Sequence, residues 1–257
     1  MTSVPSLEAC LDLHLKELRL PGIRSCYAEV ARQAVQETLS YEQYLLELLE
    51  REAENRTEHR IERWLRESKL PLEKSLEAFD VSRLPVKAKQ QLAGLLEGSF
   101  LERRENVLAF GNPGSGKTHL LCALCLELVR QERRVLYTNC SLLVQELLIA
   151  KRDLRLATVL KRLGRYEALL IDDLGYVQQS REEMEVLFTL LADRYERGSV
   201  LLTSNLPFSQ WEQIFKDPMT TAAAIDRLVH HSVILELNLP SYRMEAAKEA
   251  KEAKREK

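Results

Sequence analysis

One octapeptide decides the fold of this chain: Gly111-Asn112-Pro113-Gly114-Ser115-Gly116-Lys117-Thr118. It follows an apolar run at 106–110, typical of a buried strand, and precedes a Leu- and Ala-rich helical pattern that starts at His119. The glycines allow a tight turn, so that successive N–H groups point into one concavity at the amino end of the helix. Residues 111–119 are therefore predicted to hold the phosphates of a nucleotide.

Two side chains of this loop carry chemistry of their own. Lys117 is expected to reach the β- and γ-phosphates, and the Thr118 hydroxyl is expected to hold Mg²⁺. The alternative is a Gly-rich turn without a ligand. The complete spacing, framed by a strand and a helix, favours the nucleotide site.

The rest of the chain predicts an α/β fold built around this loop. Short apolar runs alternate with helical patterns after residue 118, which indicates a wound parallel sheet of five strands covered on both faces. Residues 1–80 read as a small all-helical domain, 81–240 as the core, and 241–257 as a charged tail. The four later strand candidates are 135–138, 168–171, 199–203 and 233–237.

Three helices are expected in the first 80 residues. Leucines at helical spacing predict a first helix that ends at Pro21-Gly22, and a second helix is expected from about Ser25. Ser40 and Gln43 resemble a capping box that opens a long third helix. Residues 72–85 look like a connector between this helical region and the core.

Composition narrows the class of protein. The chain has 257 residues and a formal net charge of −2. It has no apolar run of about 18 residues, the length that a transmembrane helix needs, and no signal-peptide pattern. These two observations predict a cytoplasmic protein that does not engage membranes. Five cysteines are scattered along the sequence. Cys122 and Cys125 form a C-x-x-C inside the helix after the loop, where small core residues are expected rather than a zinc or redox pair.

Two carboxylates follow the apolar run at 168–171. Asp172 and Asp173 stand where this strand emerges at its carboxyl end, which in wound sheets is the edge that carries the ligand. Asp172 is predicted to bind Mg²⁺ through water, and Asp173 to orient the attacking water. An ordinary acidic pair at a strand end is the alternative.

Asn205 ends the next apolar run and can sense the γ-phosphate through its amide. The alternative is that Asn205 only forms the turn before Pro207.

Arg227 lies on a short helix before the last strand, where it could act on a nucleotide held by a neighbouring subunit. A local pair with Asp226 is the alternative. Arg243, just after the last strand, is a second candidate nucleotide contact.

These elements, in this order, resemble the AAA+ ATPases, and within them the IstB-like transposition helper proteins of bacterial insertion sequences, which are related to DnaC-type helicase loaders. The stretches that carry the resemblance are 110–120, 170–175, 202–205 and Ser241-Tyr242-Arg243. It implies an ATPase with Mg²⁺ as cofactor, ATP at the interfaces of a homo-oligomer, and duplex DNA and a transposase as partners. Asp173 stands where the wider group has Glu. Too few residues follow Leu237 for the helical lid that AAA+ proteins carry.

Two basic stripes are candidate DNA contacts. The first has six cations between the second and third strands, three of which can share a face if one helix continues through them; the second lies on the long helix. Each stripe could instead be a solvated face paired with neighbouring acids. The candidates are Lys151, Arg152, Arg155, Lys161, Arg162 and Arg165, together with Arg56, Arg60 and Arg63.

Two other functions remain open on sequence alone. A helicase loader would use the same ATPase core with single-stranded DNA, whose binding sites place aromatic residues among their cations. A small-molecule P-loop kinase would need a substrate pocket and a mobile lid, for which little sequence remains after the last strand. A transposition helper fits best.

Overall fold

The structure is a computed structural model that describes residues 6–175, 180–215 and 217–242. The chain divides into two compact units, Met1–Arg63 and Trp64–Lys257, called here the helical unit and the sheet unit. By its contacts, the segment 64–80 belongs with the sheet unit. The functional boundary at residue 80 stays a prediction.

The helical unit contains α1 (Leu7–Glu17), α2 (Pro21–Glu37) and most of α3 (Tyr41–Ser68). Its core packs Ile23, Val30 and Leu48 together. The capping box is confirmed, since Gln43 N donates to Ser40 Oγ at 3.2 Å and Ser40 N donates to Gln43 Oε1 at 2.8 Å. The expected start of α2 near residue 25 is wrong. Pro21 opens the helix at its first turn, where a fixed φ and a missing N–H cost nothing.

A carboxylate from α3 caps α2. Leu20, at the N-cap of α2, makes no side-chain hydrogen bond to the helix, and Glu52 replaces it by accepting from Ile23 N at 3.1 Å. Gly22 makes this approach possible, because a Cβ there would lie 2.9 Å from Glu52 Oε2. Burial raises the pKa of Glu52, but hydrogen bonds from Arg56, Ile23 and Gly22 outweigh it and lower the pKa overall.

The sheet unit alternates helices with parallel strands. Its five strands stand in the order β2-β3-β4-β1-β5, and every pair is parallel, which confirms the predicted wound sheet. Short 3₁₀ helices lie at Val81–Arg83 and Phe208–Gln210. The strands are β1 (Asn106–Phe110), β2 (Val135–Asn139), β3 (Ala168–Leu174), β4 (Ser199–Ser204) and β5 (Ser232–Glu236). The helices are α4 (Val86–Leu96), α5 (Ser99–Glu102), α6 (Lys117–Arg130), α7 (Cys140–Arg152), α8 (Leu156–Leu163), α9 (Arg181–Arg194), α10 (Glu212–Phe215) and α11 (Pro218–Val229).

The sheet is covered on both faces, as its continuous apolar strands predict. Residues of α4 and α6 pack on one face, and residues of α7, α8, α9 and α11 pack on the other. Cys122 and Cys125 are fully buried in the first layer, and burial raises the pKa of the Cys122 thiol to about 12. Both cysteines are core residues, as expected.

The chain after β5 returns to the phosphate loop. Leu237 N donates to Phe110 O at 2.7 Å, and Tyr242 N donates to Gly114 O at 3.0 Å. Up to Tyr242, the last residue that the structure describes, no helical lid follows β5. Arg243 and the rest of the predicted tail lie outside the described residues. No helix in the described ranges combines the length and the apolarity that crossing a bilayer requires.

Candidate nucleotide-binding site

The phosphate loop has the backbone that its glycines predict. Gly114 and Gly116 have φ of +81° and +93°, values that favour glycine, and Gly116 is the N-cap of α6. A Cβ at Gly114 would collide with the Ser241 side chain, and one at Gly116 would lie 3.1 Å from the Phe79 ring. Lys117 Nζ folds back onto the loop, donating to Gly111 O at 2.8 Å and to Asn112 O at 2.9 Å.

Asp172 is the hub of the site. Its carboxylate is only 4% exposed and accepts three hydroxyl donors: Thr118 Oγ1 at 2.8 Å, Thr203 Oγ1 at 2.6 Å and Tyr137 OH at 3.1 Å. The bond from Thr118 joins the end of β3 to the first turn of α6. The two predicted Mg²⁺ ligands are therefore adjacent, and both offer the hard oxygen atoms that this ion prefers.

The backbone at Asp173 departs from the regular geometry of the strand. Its φ is +62°, and the register of β3 against β4 shifts between Ile171 and Leu174. Thr203 holds the distortion in place, since its hydroxyl also accepts from Asp173 N at 2.8 Å. Of these two consecutive residues, Asp172 is therefore buried and Asp173 is exposed.

Tyr137 is a site residue that sequence reasoning missed. It lies on β2, next to β3 in the sheet, two residues before the pair Asn139 and Asp172. Burial and then the Asp172 charge raise the pKa of the Tyr137 phenol, which keeps it a hydrogen-bond donor. The signal available in the sequence was one tyrosine at the centre of β2, between the aliphatic Val135-Leu136 and the polar Thr138-Asn139.

The segment expected to be a mere connector forms a wall of the site. A cleft of about 670 Å³ is bounded by the loop, by the carboxylates, by the exposed Asn205, and by residues 74–83 and 239–242. His119 Nε2 lies 3.0 Å from Ser75 O, and its ring meets Phe79 edge-on at 5.2 Å between centroids. The Arg83 guanidinium lies over the Tyr242 ring at 5.3 Å from its centroid. The cleft thus pairs a polar phosphate end with an aromatic wall.

Sequence comparison identifies the protein family. Residues 13–250 match the family described as IstB-like ATP binding protein. The chain belongs to this family. It is similar to a protein from Sinorhizobium fredii that is named as an insertion sequence ATP-binding protein, with 42% identity over 95% of this chain and 82% of that protein. It is also similar to one from Pseudomonas aeruginosa named for insertion sequence IS21, with 36% identity over 93% and 91%.

Solved structures confirm the AAA+ P-loop fold expected of this IstB-like chain. It is similar to AMPPCP-bound DnaA from Aquifex aeolicus, with a TM-score of 0.56, 19% identity, and coverage of 71% of this chain and 55% of that one. It is also similar to the DnaC helicase loader, with a TM-score of 0.55, 17% identity, and coverage of 65% and 98%. At such low identities the likeness concerns the fold alone.

Arg227 does not lie in the cleft of this IstB-like chain. The side chain of Asn106, at the start of β1, donates to Leu228 O at 3.0 Å and reaches Arg227 O at 3.4 Å, whereas the phosphate loop follows the other end of β1. The Arg227 guanidinium packs over the Phe188 ring at 4.9 Å and donates to Ala223 O at 2.9 Å. Within the described ranges, no carboxylate pairs with it at 4.0 Å or less.

The basic stripe at 151–165 is neither one helix nor largely unpaired. α7 ends at Arg152, and Leu154 adopts φ +57°, so the cations at 151, 155 and 162 do not share a helix face. Four of the six pair with carboxylates: Lys151 with Glu185, Arg152 with Glu182, Arg155 with Asp153, and Arg162 with Glu146. For Lys161 and Arg165, no carboxylate of the described chain lies within 4.0 Å.

The arginines of α3 gather around one depression of the helical unit. Arg56, Arg60 and Arg63 line a cavity of about 390 Å³ together with Arg19 and His59. Arg56 also donates to Glu52 Oε1 at 2.7 Å and to Arg19 O at 2.9 Å. We call this cluster the arginine pocket. Sequence spacing predicted three of its members; Arg19 joins them from the turn between α1 and α2.

Proposed function

We propose that this chain is an ATP-driven assembly switch for DNA transposition. It hydrolyses ATP, oligomerises on duplex DNA with ATP at the subunit interfaces, and regulates a transposase in the cytoplasm. One observation carries the proposal. The phosphate loop and the carboxylates lie at the carboxyl ends of the strands, whereas the candidate arginine, Arg227, lies at their amino ends. Each subunit then offers both halves of a site but cannot bring its own halves together.

The chemistry at the cleft follows from the residues present. Thr118 and Asp172, joined by a hydrogen bond, would hold Mg²⁺, which would neutralise charge on the phosphates when bound. Lys117, at 2.8–2.9 Å from two loop carbonyls, exchanges these contacts for phosphate oxygens. Asp173, exposed beside the buried Asp172, polarises the attacking water, and Asn205 contacts the γ-phosphate from the end of β4.

Arg227 is proposed to act in trans. It lies near the start of β1 and the phosphate loop lies past its end, so roughly 13 Å of strand separates it from its own loop. An arginine supplied by a neighbour stabilises charge in the transition state and is worth about a thousandfold or more in rate. Hydrolysis then removes the group that Arg227 binds, which releases the neighbouring copy.

DNA binding is proposed for the arginine pocket first. It gathers four arginines around one depression of the helical unit, whereas the cations at 151, 155 and 162 do not share a helix face. Such a cluster binds phosphates without reading sequence. A transposase is proposed as the client because relatives of this chain are named as insertion sequence proteins.

Sedimentation of the chain with duplex DNA, Mg²⁺ and a non-hydrolysable ATP analogue tests the switch. Wild type is expected to assemble on DNA, and Lys117→Ala is expected to stay unassembled. Arg227→Ala should bind nucleotide normally as a single copy yet lose turnover. Arg197→Ala is the matched control, since this arginine is exposed and pairs only locally with Asp193 at 3.2 Å.

Mixing the two variants tests whether Arg227 acts on the nucleotide of a neighbouring copy. Lys117→Ala cannot bind nucleotide but retains Arg227, and Arg227→Ala retains the cleft, so the mixture is expected to regain turnover that neither variant shows alone. Normal turnover by Arg227→Ala alone would remove this arginine from the mechanism. Solitary copies at saturating nucleotide and long duplex DNA would refute the assembly switch.

The salt dependence of DNA affinity tests the proposed DNA contact. Arg60→Ala/Arg63→Ala is expected to reduce the slope of log K against log salt by about 2, because each lost phosphate contact removes about 0.9. Lys161→Ala/Arg165→Ala is the comparison, and a larger loss there would move the contact to the 151–165 segment. Preference for single strands would instead favour a helicase-loader function.

A further inference from the structure

Two neighbouring turns of the sheet unit bring three metal-ligating side chains together. Glu196 lies in the turn before β4, and His230 and His231 lie in the turn before β5. One ligand atom from each of the three lies within 4.8 Å of the other two. All three residues are exposed, and the two imidazole centroids are 4.1 Å apart. None of them belongs to the nucleotide cleft.

We propose that Glu196, His230 and His231 form a binding site for a transition-metal dication of the Zn²⁺ class. Two imidazoles and one carboxylate are a donor set that Zn²⁺ takes in proteins, with water at the remaining position. Mg²⁺ prefers oxygen ligands, so imidazoles select against the ion expected in the nucleotide cleft. The proposal rests on this geometry alone and is independent of ATP hydrolysis.

Neighbouring contacts prepare the site for a metal. Tyr195 OH lies 3.0 Å from His230 Nδ1, which leaves Nε2 of that ring available as a metal donor. Such a hydrogen bond to the second ring nitrogen is the usual way in which proteins orient a ligating histidine. Glu196 has φ of +57°, and the Arg104 guanidinium donates to its backbone carbonyl. Both contacts fix the turns from which the ligands project.

The position of the site gives it a consequence for assembly. Glu196 and His231 line the same depression as Arg227, a cavity of about 360 Å³ at the amino edge of the sheet. A metal held by three protein ligands keeps a coordination position open. The site therefore lies beside the arginine that is proposed to reach a neighbouring copy.

Cobalt absorption spectroscopy tests the site directly. Untagged, metal-free protein without nucleotide is titrated with Co²⁺, and one equivalent is expected to give visible bands of low-coordinate Co²⁺ without thiolate charge transfer. Zn²⁺ should displace the cobalt and abolish these bands. His230→Gln and Glu196→Gln should each weaken binding by about tenfold or more, since even outer-shell changes at metal sites have this effect.

Exposed histidines outside the cluster provide the control. His14→Gln and His59→Gln should leave cobalt affinity unchanged, and circular dichroism checks that every variant is folded. Thiolate charge transfer would assign the metal to cysteine and overturn the proposal. Equal losses in cluster and control variants, or no visible bands at all, would also overturn it. Because nucleotide is absent, failure here leaves the proposed ATPase function untouched.

Discussion

Replacing Thr203 with valine is expected to destabilise the carboxyl ends of β3 and β4, where both carboxylates lie. The Thr203 hydroxyl is fully buried and makes two bonds, donating to Asp172 Oδ1 at 2.6 Å and accepting from Asp173 N at 2.8 Å. Valine has nearly the same shape, so packing is retained while both bonds are lost. Thr203→Val therefore isolates the contribution of one hydroxyl.

The magnitude follows from the two bonds. A hydrogen bond to a charged group contributes about 1.5–3 kcal/mol, and leaving a buried N–H without a partner costs about 1–3 kcal/mol. The Asp173 amide is only partly buried, so water recovers part of the second cost. We expect a loss of about 2–4 kcal/mol in the free energy of unfolding of the sheet unit.

Urea denaturation followed by far-ultraviolet circular dichroism measures this loss. Thr203→Ser keeps both bonds and removes one methyl group, so about 1 kcal/mol is expected. Thr189→Val removes a hydroxyl that bonds only to Glu185 O in its own helix and should change stability by less than about 0.5 kcal/mol. If Thr203→Val and Thr203→Ser cost the same, the hydroxyl does not hold the carboxylates.

Three further changes have distinct expected results. Tyr137→Phe removes one hydrogen-bond donor to Asp172, and such an outer-shell change should raise the Mg²⁺ concentration for half-maximal ATP turnover by about tenfold; an unchanged Mg²⁺ requirement would contradict this role. Arg194 is buried and donates to four backbone carbonyls, so Arg194→Lys should lower the free energy of unfolding by about 2 kcal/mol or more, and unchanged urea unfolding would count against it. Burial raises the pKa of Glu52, but bonds from Arg56 and two backbone amides lower it overall; the stability it contributes is present above its ordinary pKa of 4.5 and is lost as pH falls through the lower folded value. Acid titration of helix content should therefore show a loss that Glu52→Gln abolishes, and identical titrations would refute it.

The sheet and the phosphate loop were predictable because their signals are local. Strand β3 reads as a continuous apolar run with Asp172 at its end, and a buried parallel strand requires little else. The loop likewise depends on consecutive residues, since the glycines and Lys117 act within one turn. The order of the strands in the sheet was not predicted, because it depends on pairing between strands and not on any single strand.

The contacts that were missed join residues far apart in sequence. Tyr137 reaches Asp172 across 35 positions, and Glu52 caps α2 from 29 positions away. Whether one helix continues through residues 151–165 was left open for a different reason. Residues 151–165 contain no proline and only one glycine, so helical spacing gave no sign that Leu154 would adopt a left-handed conformation.

The position of Arg227 within one chain separates it from the nucleotide site of that chain. Asn106 ties the end of α11 to the start of β1, and the phosphate loop starts where β1 ends, so the rigid strand itself keeps Arg227 away from the nucleotide of its own chain. A flexible linker could bring two such groups together, but a central strand of a packed sheet cannot shorten. Arg227 can therefore serve the proposed reaction only on a nucleotide held by another copy, and ATP turnover should rise with protein concentration more steeply than linearly.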